Sequence, residues 1–579
     1  MSEKTEYGVS DNQTVGTEAL TGTTGQENKT IEAMTRGAEQ GMSGDPIIDS
    51  TGQSMSQMAP KPQPRPKTLY DTGVKENFHI YGVATFLYAC LYVFCMYRNN
   101  SGVTYSFFVA GSLVFICYCF SKLGITWKKS NGFYMISMML LSVSTFCTDD
   151  GRIIFFNKLG IFLLALSMLL SAIYDTRKWN LGKYLSSIIA VCIMAIGEIG
   201  TPFSDAYWYC KNKLDKKNSK YLYIVIGLLI TVPLFVIVFL LLTSADAVFR
   251  HMADSMLKDM DFGDIMLIAW MFGFLFLAAY GILAFLCRKT IKEEVEDTRK
   301  GEPLIAIPVA TILSLLYLVF SGVQILYLFL GNMQLPEGYT YAEYAREGFF
   351  QLLAVGILNL ILVLVGLCYF RPHKLLKAVL TVMSACTFIM LASSAVRMII
   401  YIQYYYLTFL RILVLWSLVV LFLIFVGVIG YIIKEDFPLF RYSMVVVTCL
   451  YLCLSFSHPD YWIAKVNVEG MHPDRSEFFL GDAYHDYFYL STLNADAAPV
   501  LLELLEEQKV DLNYYYTLQN YNFEQSTESD LPNGPYTYGF GQEWLERMHY
   551  RIGDMSWREF NVSRFMLESN VTIRVKKGM

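Results

Sequence analysis

The chain has 579 residues, of which 54% are hydrophobic and 17% charged. A soluble domain is typically about 45–50% apolar and about 25% charged, so this composition excludes an ordinary soluble protein and predicts a polytopic membrane protein. The formal net charge is only -5, and no basic tract suggests nucleic-acid binding.

Residues 1–75 have the composition of a disordered tail. They are rich in Thr, Ser, Gly, Glu and Gln, and the run KPQPRPK occupies residues 61–67. Such a segment buries too little apolar surface to offset its ordering entropy. We expect a cytoplasmic spacer near an anionic membrane surface, with docking of a partner on the proline-rich run as the alternative.

Apolar segments follow, most of them about as long as a bilayer-spanning helix of ~20 residues. They predict an all-α, polytopic transmembrane bundle of about 11–12 spans over residues 76–456. The candidate segments are 81–97, 102–120, 132–148, 153–174, 185–203, 222–242, 265–287, 304–331, 348–370, 378–400, 407–433 and 438–456.

The lysines and arginines of the short loops predict the orientation. All basic clusters should be cytoplasmic, namely those within 122–129, 177–183, 211–220, 288–292 and 371–374. This arrangement is impossible if 185–203 crosses the membrane, because the later clusters would then lie outside. That segment carries Glu198 and Pro202, so we expect it to re-enter or to lie at the interface. About eleven spans then remain, with a cytoplasmic N-terminus and an outer C-terminus; about twelve spans with both ends inside are the alternative.

After residue 456 the composition becomes that of a small water-soluble domain. A leucine-rich segment, with Leu501, Leu502, Leu504 and Leu505, has the pattern of an amphipathic helix. Residues 457–579 are therefore predicted to form a small, mostly helical, extracytoplasmic domain.

A polar stretch between two apolar segments gives the clearest local signal. Residues 335–350, LPEGYTYAEYAREGFF, begin with a turn, and Thr340 and Glu343 fit a capping box. With the motifs SADAVF and SFSHPDYW, the run YAEYAREGFF resembles a large bacterial family of multi-span membrane proteins known as a domain of unknown function. The resemblance covers about residues 81–505. It implies an integral protein of the bacterial cell membrane, and no activity, substrate or cofactor.

The expected topology gathers charged and aromatic residues near the outer leaflet: Asp246, Glu343, Arg346, Glu347, Arg397, Tyr401, Tyr404 and Arg411. One interpretation is a site where guanidinium and phenol groups hold a polar or anionic ligand. The other is a structural set of ion pairs and aromatic contacts that ties helix ends together. The sequence favours the structural interpretation.

Two ionisable residues, Lys158 and Glu198, fall inside apolar segments. A proton or cation relay is one interpretation. The favoured one is that Lys158 reaches toward the outer surface while Glu198 lies in a wet re-entrant pocket. Asn359 and Gln324 are expected to form hydrogen bonds between helices.

No catalytic motif and no metal site is visible, and no cofactor is implied. The His-Pro-Asp tripeptides at His458 and His472 are interpreted as helix-capping turns. The lipid bilayer is the clear partner. The sequence favours a cell-envelope sensor, scaffold or accessory component that binds a ligand or a protein outside. A small-solute transporter or channel is the alternative, and a membrane enzyme comes third.

Overall fold

The computed structural model of the protein describes residues 68–99, 101–176, 179–213, 241–256, 262–293, 299–326, 348–470, 489–507, 540–552 and 555–578, with scattered positions between 227 and 239. The regular elements in these ranges are helices, accompanied by one isolated backbone bridge between Gly301 and Phe370. The predicted all-α class is confirmed.

The long helices follow the predicted apolar segments closely. They are α1 Phe78–Met96, α2 Thr104–Lys122, α3 Lys129–Cys147, α4 Gly151–Ile173, α5 Leu181–Gly197, α6 Thr201–Lys213, α7 Ala247–Met256, α8 Phe262–Cys287, α9 Pro303–Gln324, α10 Phe349–Cys368, α11 Lys374–Tyr405, α12 Phe409–Ile433 and α13 Leu439–Ser455. The C-terminal helices are α14 Pro459–Gly470, α15 Ala498–Glu507, α16 Phe540–Ile552 and α17 Val562–Gly578.

Eight of the described helices are long and apolar enough to cross a membrane: α1, α2, α4 and α8 to α12. The pairs α5–α6 and α13–α14 are each bent by 56° at a short break, and counting each pair as one span raises the number to ten. The chain is thus a multi-pass integral membrane protein. The predicted span 222–242 lies mostly outside the described residues, so the total of about 11–12 stays a prediction.

The predicted C-terminal limit of the disordered tail, residue 75, is too far along the chain. Residues 1–67 lie outside the described part of the chain, but Tyr70–Lys75 form a π-helix that leads into α1. Tyr70 and Val74 are buried in a cluster with Tyr81, Cys119 and residues of α8. Burial of these two apolar side chains supplies the stabilisation that a composition-based prediction does not detect.

The loops of the bundle sort into two groups by their contacts. At one end, Arg98 pairs with Asp264 at 2.6 Å, and the Val103 amide donates to the Phe560 carbonyl at 2.9 Å. The C-terminal helices lie at this end, which we call the cap end.

The opposite end carries residues 68–77 and is called the tail end. There Arg288 lies 4.4 Å over the Tyr70 ring, and Arg441 donates to the Thr176 hydroxyl at 3.2 Å. Which end faces the cytoplasm stays a prediction.

Helices α15, α16 and α17 share an apolar core with α14, and Leu407, Phe409 and Ile412 of the membrane bundle pack against it. Leu501, Leu502, Trp544, Leu567 and Val571 are fully buried in it. Burial of one large aliphatic or aromatic side chain stabilises a fold by about 1.5–3 kcal/mol. The core therefore holds α15, α16 and α17 together and also contributes to their attachment to the membrane helices.

Candidate functional site

The predicted outer-face residues are brought together only in part. Glu343, Arg346 and Glu347 lie outside the described residues. Arg397 is buried in α11, and its Nη2 atom lies 3.4 Å from the Gln324 side-chain oxygen, which also accepts from Ser393 at 2.6 Å. A further bond joins Asn359 to Thr387 at 2.9 Å, so both predicted amides link helices.

Arg411 closes the end of α11. It donates to the carbonyls of Tyr405 and Tyr406, and its guanidinium lies 4.4 Å over the Tyr401 ring. A cation suits the C-terminal end of a helix, where carbonyl groups lack partners. Tyr404 belongs to the same helix by its backbone, but the structure does not describe the Tyr404 side chain.

Asp246 belongs to a separate helix end. It accepts from the Phe249 amide at 2.8 Å and so caps α7. The contacts that the structure describes for Asp246 are thus local, whereas Arg397, Tyr401 and Arg411 share one end of α11. The choice between a ligand site and a structural set stays a prediction.

A denser polar cluster lies where the C-terminal helices meet the bundle. We call it the aspartate network: Asp149, Asp150, Asp460 and Asp496, with Arg152, Arg564 and His458. Its residues come from the α3–α4 connection, the start of α14, the turn before α15 and the start of α17. The network therefore joins parts of the chain that are more than 300 residues apart.

Arg152 bridges two of the carboxylates. Its Nη2 atom lies 2.7 Å from Asp150 and 2.7 Å from Asp460, whose side chains are each only 2% exposed. Asp150 also caps α4, because it accepts from the Arg152 amide at 2.8 Å. The guanidinium rests 3.8 Å over the Phe409 ring, so Arg152 has three different contacts at one place. The pair with Asp150 is bidentate, because Nε also donates to this carboxylate at 2.9 Å, and such pairing offsets much of the cost of burying its charge.

The side chain of Asp496 is fully enclosed. It is 0% exposed and accepts from the Thr148 hydroxyl at 2.5 Å and from the Asp149 amide at 3.2 Å. His458 Nδ1 lies 3.5 Å from the same carboxylate oxygen that accepts from Thr148. Asp149 in turn pairs with Arg564 at 2.8 Å, which fixes the first turn of α17 to the α3–α4 connection.

The electrostatics of the His458–Asp496 pair follow from these contacts. The hydrogen bond to Asp496 raises the pKa of His458, although burial opposes the charged imidazole. Burial disfavours ionised Asp496, but hydrogen bonds from His458, Ser563 and Thr148 outweigh it and lower the pKa of Asp496. Both shifts favour the charged pair.

Polar contacts continue from the network into the bundle. The Asn157 side-chain oxygen accepts from Tyr451 at 2.8 Å and from Ser455 at 2.7 Å, and Ser455 is 2.6 Å from Ser144. These residues belong to α3, α4 and α13. Asn157 is fully buried within a membrane helix, where satisfied hydrogen bonds between helices fix their register. A displacement of α13 would thus disturb α3 and α4.

The charged His458–Asp496 pair predicts a pH dependence. The pKa of His458 is raised, so its stabilisation is present below about pH 6.5 and is lost as pH rises through the folded-state pKa. The pKa of Asp496 is lowered, so its stabilisation is present above about pH 3.9 and is lost as pH falls further. We expect the thermal unfolding temperature of the detergent-solubilised protein to fall between about pH 6 and about pH 9.

The His458→Asn variant is the control for this pH effect. His458 has a φ of 47°, a left-handed conformation that asparagine tolerates well. The variant should unfold at lower temperature near pH 6 and lose less stability on alkalinisation than the wild-type protein. An equal pH effect in both proteins would show that another group titrates.

A second buried carboxylate lies at the tail end. Asp205 of α6 is 1% exposed and accepts from the hydroxyls of Tyr70 at 2.6 Å and Tyr280 at 2.9 Å. Nearby, Glu198 pairs with Arg288 at 3.0 Å and accepts from the Thr201 hydroxyl at 2.5 Å. The expected wet pocket for Glu198 is thus an ion pair at the α5–α6 break, with 16% of the side chain exposed.

Lys158 contacts the aromatic ring of a neighbouring helix, and its predicted reach to the outer surface stays a prediction. Its ammonium lies 5.4 Å over the ring of Tyr105, at the first turn of α2 and therefore toward the cap end. This placement agrees with a lysine that reaches for the nearer membrane surface.

The aspartate network was missed in the sequence, although its segments were visible. His458 does precede the first residue of α14, as a capping turn requires, but Asp460 contacts Arg152 and Asn494 instead of capping its own helix. The second tripeptide, at His472, lies outside the described residues. The available signal was an Asp-Asp-Gly-Arg run, residues 149–152, in a very short loop between two apolar segments.

The chemistry of the network is that of buried charge pairing. No group of three or more His, Cys, Asp or Glu in the described ranges is arranged to hold a metal ion.

The family model described as domain of unknown function, DUF4153, matches residues 135–504. This range includes three of the four segments of the aspartate network and ends before the Arg564 segment. No curated protein and no solved structure matches the chain.

Proposed function

Because the chain belongs to the DUF4153 family, we propose that it is a sensor or scaffold of the bacterial cell envelope. In this proposal the C-terminal helices lie outside the cytoplasm, engage a ligand or a protein partner, and pass the effect to the membrane helices. The observation that carries the proposal is the aspartate network, through which buried carboxylates join α14, α15 and α17 to the α3–α4 connection.

The geometry supports transmission because the contacts of the network are shared between segments. Arg152 contacts both Asp150 and Asp460, and Asp496 contacts Thr148 as well as His458. A movement of the C-terminal helices would break several charge-assisted bonds together. A joint of this kind has two discrete arrangements, and a ligand that prefers one of them shifts the population.

The proposed orientation has the tail end in the cytoplasm. The α5–α6 pair starts near Trp179, which donates to the Glu293 carbonyl at 3.2 Å, and ends at Lys213, which is 3.9 Å from Glu76. Both contacts lie at the tail end, and this supports a re-entrant pair. Basic residues of the connections at that end, including Lys129 and Lys374, fit the positive-inside rule.

A small-solute transporter or channel is the second candidate. It is favoured by the buried Asp205 beside a 56° break in a membrane helix pair, since broken helices and intramembrane carboxylates often line transport sites. Asp205 also accepts hydrogen bonds from the hydroxyls of Tyr70 and Tyr280, and these bonds are compatible with a purely structural role in which Asp205 fixes the π-helix Tyr70–Lys75 to the bundle.

Two isosteric variants separate these functions. The test uses a bacterial strain that lacks the chromosomal copy of the gene. We expect Asp496→Asn, produced at the wild-type level in the membrane, to restore growth under envelope stress only poorly. Asp205→Asn should restore it, because Asp205 lies outside the joint. Growth under envelope stress and membrane abundance on immunoblots are the measurements.

The opposite pattern would assign the function to the α5–α6 pair and support transport. Full rescue by both variants would contradict the proposed role of the aspartate network.

A further inference from the structure

A cleft at the tail end is formed by three membrane helices. It lies between the end of α10, the start of α11 and the end of α12, and is a shallow groove that is open to solvent. Each of these helices leaves its apolar segment there, at Cys368, Lys374 and Ile433. The cleft therefore lies at the level where a bilayer changes from acyl chains to headgroups.

The mouth of the cleft is cationic. Arg299, Arg371 and Lys377 contribute three permanent positive charges to the lining, against the single carboxylate of Glu435. Arg371 pairs with Glu302 at 2.8 Å, but both side chains are more than half exposed. An exposed pair of this kind is weak, and its guanidinium stays accessible to another anion.

The cationic groups are held in place by the surrounding structure. Glu435 lies 3.3 Å from Arg299 and also accepts from Lys377, and the hydrogen bond from Lys377 lowers the pKa of Glu435. The Gly301 amide donates to the Tyr369 carbonyl at 3.0 Å, which ties the Arg299 segment to the end of α10. The mouth is therefore a built surface with fixed spacing.

The inner wall of the cleft is apolar. The partly buried Leu367 and Phe370 line it, above Leu376, Leu380 and Ile432, which are buried in the core of the helices. An apolar slot with a positive mouth at the membrane interface has the chemistry of an amphipathic anion. Basic pockets between membrane helices commonly hold the headgroups of anionic lipids.

We propose that this cleft binds an anionic phospholipid of the surrounding bilayer, with its headgroup phosphate on Arg371 and Lys377 and an acyl chain along Leu367 and Phe370. The observation behind the choice of ligand is the charge complementarity of a cationic mouth above an apolar wall. The proposal is independent of which end faces the cytoplasm and of the function proposed for the aspartate network.

Lipid binding to the full-length, delipidated protein tests the proposal. Phosphatidylglycerol and phosphatidylcholine are titrated separately and followed by native mass spectrometry, with inorganic phosphate as the competitor. We expect phosphatidylglycerol to bind more tightly than phosphatidylcholine. Arg371→Gln and Lys377→Gln should each weaken phosphatidylglycerol binding about fivefold.

Two further variants keep the test decisive. Lys374→Gln removes a cation from the same turn that does not line the cleft, and should leave binding unchanged. Glu435→Gln removes the competing carboxylate and should strengthen binding, an effect that misfolding cannot mimic. Equal loss in Lys374→Gln and Lys377→Gln would overturn the proposal, and so would weaker binding in Glu435→Gln. Displacement of phosphatidylglycerol by millimolar inorganic phosphate would identify a site for free phosphate instead.

Discussion

Replacement of Asp496 by alanine is expected to detach the C-terminal helices from the membrane helices. The side chain is fully enclosed, so its loss leaves the Thr148 hydroxyl, the Asp149 amide and the His458 imidazole without their buried acceptor. Removing one partner from a buried charge pair typically costs about 3–5 kcal/mol. We expect amide hydrogen exchange in α15 and in the first turns of α17 to accelerate by a factor on the order of 10²–10³.

Asp436→Ala is the matched control for this variant. Asp436 is an exposed aspartate in the turn after α12, at the tail end, and its loss should leave the exchange of α15 and α17 unchanged. If Asp496→Ala retains the wild-type exchange pattern, the network contributes little to docking and the apolar contacts alone hold the C-terminal helices.

Gly102→Ala is expected to weaken the contact between the α1–α2 connection and the segment before α17. A Cβ atom on Gly102 would lie 2.2 Å from the Arg558 carbonyl oxygen and 2.5 Å from the Glu559 Cα atom. These are backbone atoms, so the contact is relieved only if the two segments separate and the neighbouring bond between Val103 and Phe560 is lost. Overpacking of this kind typically costs about 1–3 kcal/mol.

The measurements for Gly102→Ala are the thermal unfolding temperature and the hydrogen exchange of residues 557–565. Both should indicate a weaker interface. Gly132→Ala is the control, because no atom lies within 4 Å of its added Cβ and alanine favours the interior of α3. Similar behaviour of the two variants would mean that the segments are not in contact.

The membrane helices could be predicted from the sequence because each one is a continuous apolar segment. The start of α10 at Phe349 and the end of α12 at Ile433 lie within a few residues of the predicted limits. Hydrophobicity is a local property, so it needs no knowledge of partners. The break at Glu198 was also predictable, since a charge and a proline interrupt an otherwise apolar segment.

The aspartate network could not be predicted because its meaning depends on pairing between distant segments. In the sequence, Asp149 and Asp150 cannot be distinguished from ordinary loop residues. Only the structure shows that Asp149 pairs with Arg564 and Asp150 with Arg152. Asp460 lies where a capping residue would lie, and the position alone does not reveal that Arg152 is its partner. The predicted outer-face residues were grouped because they were expected at the same depth in the membrane. The same depth does not mean that two side chains are in contact. Asp246, for example, caps its own helix.

The central claim is that the C-terminal helices are docked on the end of the bundle formed by the α1–α2 and α3–α4 connections. The most direct test places cysteines at Phe94 and Trp557, whose exposed rings have centroids 6.3 Å apart, and treats native membranes with a short bifunctional thiol reagent. A protease site engineered within residues 513–539 then separates the two halves unless they are cross-linked.

We predict a cross-link in Phe94→Cys/Trp557→Cys, and none in either single variant or in Tyr369→Cys/Trp557→Cys, since Tyr369 is exposed at the tail end. The single variants also control for the native cysteines. The absence of a cross-link in the first pair, or an equal yield from the Tyr369 pair, would contradict the docking of the C-terminal helices at the cap end.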